Sequence, residues 1–333
     1  MKTHFKELDG IRGLLSVVIL LFHLGLNPLI GRLTLGWIAE GRYELAVDFF
    51  FILSGFVLCH VSLGRRPDIQ RFLIGRAFRM LPVSIVSLGL CLLATRSVGN
   101  PTTLAANLLL AQLFLGLPHL NRVAWSACSE MWMPGFLVYG AWLGRKQGRV
   151  LLWGLLIFMW ALGGFSMADN GNENRHLVEV LRSVVGLSAG FLVCLLFPAP
   201  ADEAPRPASP LIPGLLLFTV GLIMVFGQKF SLLCYAFPVA ASFAIVGCLR
   251  TKTFLSGRIC QFLGARSYAI YMIHWPVLLF FSAHFGPDVL KGNIGLKLAI
   301  IISSLLLADL THRHIELPFS RLRDKLMPRA ARP

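Results

Sequence analysis

The chain consists of long apolar runs separated by short polar segments. Eleven runs can be counted, at residues 11–30, 44–63, 80–98, 104–118, 126–144, 150–167, 180–198, 211–228, 230–249, 267–285 and 293–311. Most of them approach the roughly 20 residues that a helix needs to cross about 30 Å of hydrocarbon. Because a helix satisfies its own backbone hydrogen bonds in lipid, this pattern predicts transmembrane helices.

The basic residues indicate how these helices are oriented. The segment 64–79 is interpreted as a cytoplasmic loop because it carries Arg65, Arg66, Arg71, Arg76 and Arg79. If all eleven runs crossed the membrane, the basic loops at 145–149 and 250–266 would face outside, against the positive-inside rule. If the short run 104–118 does not cross, every basic loop lies inside.

The predicted fold class is therefore all-α, a polytopic membrane helix bundle with about ten transmembrane helices. Segment 104–118 is expected to be re-entrant or to lie in the membrane interface. We expect a single transmembrane domain over 1–320 and a basic cytoplasmic tail over 321–333, with both termini in the cytoplasm. The polar stretch 169–176 is expected outside, and the Pro/Ala-rich stretch 198–210 is expected to be a cytoplasmic linker.

Composition excludes an ordinary soluble protein, since 56% of the residues are hydrophobic and only 14% are charged. The formal net charge of +15 raises the question of nucleic-acid binding. The basic residues, however, lie in short loops between apolar runs, so we expect a lipid bilayer and no nucleic acid as partner.

His23 is the first ionisable residue that the pattern places inside a predicted span. It follows Arg12 by eleven positions, which is roughly 16 Å along a helix and puts it near the midplane. A histidine there can accept or donate a proton near neutral pH, as catalysis requires. The alternative is a structural histidine that is satisfied by a neighbouring helix.

Six short motifs follow one another along the chain. They are Arg12-x10-His23, the segment 44–56 with Asp48 and Leu-Ser-Gly-Phe, Arg76-x-x-Arg79, Trp125-Ser126-x-x-x-Glu130, Ser267-Tyr268-x-x-Tyr271-x-x-His274-x-Pro276, and Ile315-Glu316-x-Pro318. Each motif is weak alone. In this order they resemble the membrane-bound acyltransferase family 3, whose members O-acylate sugars and other small acceptors. The resemblance runs from residue 8 to 319, although Met131 replaces the family's usual second acidic residue.

The resemblance implies an O-acyltransferase that moves an acyl group, acetyl above all, from cytoplasmic acyl-CoA to a carbohydrate hydroxyl. Acetyl-CoA would be the donor, and no metal is expected. A surface or exported polysaccharide or oligosaccharide is the expected acceptor, and a bacterial inner membrane the expected location. Some members carry a further extracytoplasmic domain; we expect the stand-alone form here, because the chain stops at Pro333.

The resemblance also implies roles for particular residues. His23 is the expected base, acting either directly on the acceptor hydroxyl or through an acylated histidine. Glu130 and Asp48 are catalytic candidates that orient an imidazole or pair with an arginine. A structural ion pair between helices is the alternative for both.

Arg12, Arg76 and Arg79 are expected to bind the donor, since arginine suits phosphate. The alternative for Arg12 is a snorkelling anchor, and for the arginine segment a contact with lipid headgroups. His274 is a weaker catalytic candidate in a helix that Pro276 is expected to kink.

Two other functions fit a basic polytopic protein. A proton-coupled transporter or flippase of a glycan would also use intramembrane histidines and acids, but the chain shows no matching inverted halves. A structural membrane subunit would have no need of His23. Dependence on acyl-CoA separates the enzyme from both, and the sequence does not indicate the acceptor sugar or the oligomeric state.

Overall fold

The computed structural model describes residues 5–25, 41–62, 68–147, 175–199, 211–226, 233–286 and 293–327, with the backbone alone at 62, 137–147 and 233–235. Every regular element within these ranges is helical, which confirms the all-α prediction. The α-helices are α1 (Lys6–His23), α2 (Leu45–Ser62), α3 (Ile69–Thr95), α4 (Pro101–Leu108), α5 (Ala124–Gln147), α6 (Arg175–Leu196), α7 (Leu211–Phe226), α8 (Leu233–Arg250), α9 (Arg258–Phe285), α10 (Ile294–Thr311) and α11 (Leu317–Leu326). A 3₁₀ turn at Phe254–Ser256 precedes α9, and a π-helical segment at His312–Glu316 joins α10 to α11.

Four helices in the described ranges are long and apolar enough to cross a membrane. They are Ile69–Thr95, Arg175–Leu196, Arg258–Phe285 and the continuous helix Ile294–Leu326. Shorter apolar helices lie at Leu45–Val61, Leu211–Phe226 and Ala236–Arg250. The prediction of about ten spans is not confirmed by this count, and the predicted run 150–167 lies outside the described residues.

Helix α10 shows how such a helix meets lipid. Leu298, Ile302, Leu306 and Leu310 follow one another at four-residue intervals, and each is more than half exposed. The small or polar residues Ser304 and Thr311 are buried instead. An apolar exposed stripe over a small and polar buried face is the arrangement expected of a helix in hydrocarbon.

Segment 104–118 does not form a long helix. Helix α4 is eight residues long, or about 12 Å, and is followed by turns up to residue 123. A helix of that length is too short to cross the membrane, in keeping with the prediction that this run does not span. Whether the segment is re-entrant or interfacial stays a prediction.

The prediction that 64–79 is a loop is wrong for residues 69–79, while the cytoplasmic location of this segment stays a prediction. Helix α3 begins at Ile69, because the Asp68 side chain caps it by accepting a hydrogen bond from the Arg71 backbone N–H at 2.9 Å. Arg71, Arg76 and Arg79 are therefore helical residues. Arg65 and Arg66 lie outside the described residues. The start of the predicted tail is helical too, since α11 extends to Leu326.

The chain forms two compact units. Unit 1 contains residues 1–66 and 136–267, and unit 2 contains residues 67–135 and 268–333. The predicted single domain over 1–320 remains a prediction.

Helices α2 and α6 form the most extensive helix pair described in unit 1. Their backbones approach closely at Gly186 and Gly190 of α6, a small-xxx-small pattern. A methyl group at Gly190 would overlap the Ile52 carbonyl, and one at Gly186 would meet Phe51. Glycine at these positions thus sets the distance between the two helices.

Helix α1 packs in the same way against the 3₁₀ turn and the start of α9. A methyl group at Gly10 would overlap the Leu255 carbonyl, and Gly13 lies against the backbone at Gly264. The Gln261 side chain donates to the Lys6 carbonyl at 2.6 Å. The glycines that surround Arg12 in the first motif therefore serve close packing.

Candidate active site

The ion pair of Arg76 and Glu130 is the centre of the candidate site in unit 2. An Arg76 nitrogen lies 2.7 Å from the Glu130 carboxylate, and both side chains are largely buried. The guanidinium also stands 5.6 Å from the centre of the Phe72 ring, a cation–π contact. Two predicted site residues, 54 positions apart, are thus in direct contact.

Tyr268 lies close to this pair. Its hydroxyl donates to the Met80 carbonyl at 2.9 Å, which attaches helix α9 to the part of α3 that carries the arginines. The charges of Glu316, Arg79 and Glu130 all act on the Tyr268 phenol. Since Arg79 is itself exposed, it is available to an anion from solution.

The π-helical segment supplies the Glu316 carboxylate. There His312 Nδ1 and a Glu316 oxygen are 2.9 Å apart, and Asp309 pairs with Arg313 at 2.8 Å. The segment packs against α3. A wide turn of this kind adds one residue to the helix and often occurs at functional sites.

A buried hydroxyl network joins the middle of α9 to α5. Ser126 Oγ donates to the Tyr271 hydroxyl at 2.7 Å, and that hydroxyl donates to the Val123 carbonyl at 2.9 Å. The neighbouring His274 is fully buried, with Nδ1 3.1 Å from the Ile270 carbonyl. A carbonyl only accepts, so Nδ1 carries the proton and Nε2 keeps the lone pair.

Pro276 explains a second set of contacts on α9. A proline has no N–H, so the carbonyl four residues earlier, that of Met272, loses its usual donor. Ser87 Oγ donates to this carbonyl at 2.7 Å, and Asn121 Nδ2 donates to it at 3.1 Å. Side chains from elsewhere in unit 2 thus replace the missing helical bond.

Unit 1 holds the first motif. Arg12 lies on α1 with a nitrogen 3.8 Å from the Asp9 carboxylate, one turn earlier. His23 ends the helix, with Nδ1 3.1 Å from the Ile19 carbonyl. As in His274, this contact places the proton on Nδ1 and leaves Nε2 with the lone pair that a base needs.

Asp48 is fully buried on α2 and is bound by Arg182 of α6. Two nitrogens of the guanidinium meet the two carboxylate oxygens at 3.1 and 2.8 Å, and one of them also donates to the Glu44 carbonyl at 3.3 Å. This bidentate geometry matches the structural ion pair that was the alternative to a catalytic role for Asp48. Its catalytic role is an untested prediction.

The structure thus assigns the predicted residues to two separate groups. Arg76, Arg79 and Glu130 lie in unit 2, which also contains most of the motif at 267–276 and the motif at 315–318. Arg12, His23 and Asp48 belong to unit 1. The sequence analysis missed Arg182 and Asn121, and it named Tyr268 only as a motif residue without a role. Arg182 offered a signal, because an arginine inside an apolar run requires a buried acidic partner.

The unit 2 arrangement combines arginine for binding anions, an acid that holds one of those arginines in place, and buried hydroxyl and imidazole groups. This set suits the transfer of a group from a phosphate-bearing donor.

Comparison with known proteins supports the motif resemblance. The family model of acyltransferase family 3 matches residues 5–313, and its description is an acyltransferase domain. A Staphylococcus aureus protein described as an inferred O-acetyltransferase is 24% identical over 362 aligned residues, which cover 96% of this chain and 58% of the relative. An inferred membrane-bound transacylase of Komagataeibacter xylinus is 24% identical, covering 93% of this chain and 83% of the relative.

The peptidoglycan O-acetyltransferase of Listeria monocytogenes is 21% identical over 96% of this chain and 56% of its own length. The chain therefore spans little more than half the length of the staphylococcal and listerial relatives. No solved structure matches the chain. Its long apolar helices and the match to the family model over residues 5–313 identify this chain as an integral membrane protein that belongs to acyltransferase family 3.

Proposed function

We propose that this chain is a membrane O-acyltransferase that moves an acyl group, acetyl in the first instance, from cytoplasmic acyl-CoA to a hydroxyl of a carbohydrate. The contact between Arg76 and Glu130 carries the proposal, because it joins the Arg-x-x-Arg and Trp-Ser-x-x-x-Glu motifs in one unit. The names of the relatives, O-acetyltransferase and transacylase, support the same chemistry. The proposed location is a bacterial inner membrane with both termini in the cytoplasm.

The donor is proposed to bind at the exposed end of the unit 2 site. Arg79 contacts the phosphates of acetyl-CoA, and Arg76, held by Glu130, adds a second positive charge. For Arg12, which belongs to unit 1, a contact with a donor phosphate or with the thioester oxygen is a separate proposal. The alternative for these arginines, contact with lipid headgroups, would give no dependence on acyl-CoA.

His23 is proposed as the base. Its Nε2 takes the proton of the acceptor hydroxyl, the oxygen attacks the thioester carbon, and the carbon–sulfur bond breaks to release coenzyme A. In the other route Nε2 attacks the thioester first and coenzyme A leaves, and the acyl group then passes from the histidine to the acceptor hydroxyl, which restores the free imidazole. Trapping of a labelled protein by rapid denaturation near neutral pH, where an acyl-histidine survives longer than in acid, distinguishes the two routes.

The test compares wild type with His23→Ala at matched levels in membranes that contain the candidate carbohydrate. With labelled acetyl-CoA, we expect base-labile label in the carbohydrate fraction of the wild type and none with His23→Ala. His284→Ala is a matched control, because His284 makes the same bond from Nδ1 to the carbonyl four residues earlier but is exposed at the end of α9. Equal label in wild type and His23→Ala would remove His23 as the base and direct attention to His274 and Glu130.

Donor binding provides a second test. We expect Arg79→Ala to weaken the binding of acetyl-CoA to the purified protein by about tenfold, since a charge-assisted hydrogen bond contributes on the order of 1.5–3 kcal/mol. The exposed Arg258 is the control position. Equal binding by wild type, Arg79→Ala and Arg258→Ala would contradict the assignment of the donor phosphates to Arg79.

A further inference from the structure

In the described part of unit 2, the side chains of Gln112, Ser129 and Ser304 are fully buried without a hydrogen-bond partner, and the first two belong to the region around Glu130. Among the described residues, neither amide atom of Gln112 is satisfied, and neither is the hydroxyl of Ser129. Both side chains have 0% exposure. Burying an amide or hydroxyl group unpaired costs free energy, so each such group requires a specific explanation.

The loop that carries Gln112 is held in place by hydrogen bonds from the Asn107 side chain. The Asn107 amide donates to the carbonyls of Thr103 and Pro118 at 2.9 Å each, and its oxygen accepts from the Leu120 N–H at 3.1 Å. Leu110 adopts a left-handed conformation with φ 52°. A non-glycine residue in this conformation is strained, and such strain is concentrated at functional sites.

Gln112 and Ser129 are each close in sequence to one contact between this loop and α5. Trp132 Nε1 donates to the Leu110 carbonyl at 3.0 Å. Gln112 follows Leu110 by two residues, and Ser129 precedes Trp132 by three, which places Ser129 on the same face of α5. A helical serine usually bonds back to a carbonyl of the preceding turn, and Ser129 does not.

We propose that Gln112 and Ser129 form a subsite that binds a hydroxyl group of the carbohydrate acceptor beside Glu130. The amide offers N–H donors and a carbonyl acceptor, which is what a hydroxyl group needs, since a hydroxyl both donates and accepts. A phosphate would instead require positive charge, and a thioester would leave the Gln112 oxygen without a donor. This inference rests on the proposed function.

The burial of the subsite adds a condition. Because both side chains are closed to solvent in this conformation, the acceptor reaches them only when the covering side chains move aside. A subsite that closes over its substrate excludes water, which would otherwise compete with the acceptor for the acyl group.

The test uses full-length protein in membranes with labelled acetyl-CoA. Label is measured in the carbohydrate fraction and as free acetate, together with acetyl-CoA binding and the melting temperature. We expect Gln112→Leu to lower transfer to carbohydrate by about tenfold or more, because a site built around a hydroxyl depends on its polar groups. Donor binding and hydrolysis to acetate should persist, and the melting temperature should not fall. Ser129→Ala should shift the same partition in the same direction.

Asn107→Leu is the matched control, since it removes a satisfied amide from the same loop and should lower the melting temperature. A fall of the same kind with Gln112→Leu would make Gln112 a structural residue and overturn the inference. If Gln112→Leu does not reduce transfer, the wild-type amide either binds a buried water or stays unsatisfied. That result would also overturn the inference. If the wild type transfers no label, the proposed function is rejected, and the subsite that rests on it is rejected too.

Discussion

At the scale of single residues, the pair of Asp48 and Arg182 makes the clearest prediction. Asp48→Asn would leave the Arg182 charge without its partner in a buried position, which costs about 3–5 kcal/mol. We expect a large drop in the melting temperature of the detergent-solubilised protein. Asp48→Leu combined with Arg182→Leu should recover most of the stability, because both charges are then removed.

The same double variant separates the two roles considered for Asp48. If the pair is structural, a stable double variant retains acyl transfer. A double variant that folds but transfers nothing would show that the carboxylate takes part in the reaction.

The residues of the candidate site could be predicted from sequence, but their partners could not. Glu130, Arg76 and Arg79 stood out by residue type and motif, yet only the fold shows that Glu130 contacts Arg76. Partners of this kind lie on different helices, and helical periodicity carries no information about which helices become neighbours. Tyr268 and Asn121 also bind backbone carbonyls, which any residue offers. The Ser-Tyr-x-x-Tyr motif therefore marks Tyr268 but not its partner, and no pattern marks Asn121.

At the scale of elements, the approach of α2 to α6 depends on Gly190. We expect Gly190→Ala to destabilise the protein by about 1–3 kcal/mol, since the added methyl would overlap the Ile52 carbonyl and the backbones would have to separate. The melting temperature measures the effect.

Gly221→Ala in α7 is the control. Among the residues that the structure describes, none lies within 4 Å of a methyl group at that position, so the substitution should be neutral or stabilise by up to about 1 kcal/mol. A similar response at both positions would show that close packing does not explain Gly190.

The proline in α9 makes a prediction about coupling. Asn121→Ala removes a donor to the Met272 carbonyl and should destabilise the wild type by about 1–3 kcal/mol. Pro276→Ala restores the helical N–H that this carbonyl lacks, so Asn121→Ala should cost less in that background. Melting temperatures of the four proteins give the coupling energy. An equal cost of Asn121→Ala in both backgrounds would refute the link.

Two features of the elements escaped prediction from sequence. Helix α3 begins eleven residues before the apolar run that revealed it, because the cap at Asp68 and not hydrophobicity sets its start. The π-helical turn at His312–Glu316 is a local change of hydrogen bonding inside a continuous helix, and hydropathy does not register it.

At the scale of the whole molecule, the orientation of the chain in the membrane remains open to test. The positive-inside rule predicts that residue 205, in the expected linker, is cytoplasmic and that residue 172 is outside. A green fluorescent protein fused after residue 205 should therefore be bright and alkaline phosphatase fused there inactive, with the reverse result after residue 172. The opposite pattern at either position would reject the predicted topology.

The helical class and the membrane setting followed from the length of the apolar runs, because lipid leaves the backbone few alternatives. The division into two units could not be predicted from the apolar runs, since it depends on which helices that are far apart in the chain become neighbours.

Unit 2 is assembled from the segments 67–135 and 268–333, and this has a consequence for how the protein is made. The ribosome completes the partners Arg76 and Glu130 early, so their ion pair can form while the rest of the chain is still being synthesised. Ser126, Ser87 and Asn121, however, must wait for Tyr271 and the Met272 carbonyl until residues 136–267 have been inserted. During that interval these side chains lack their partners on the later segment, so the polar network of unit 2 closes only when the second segment has been made.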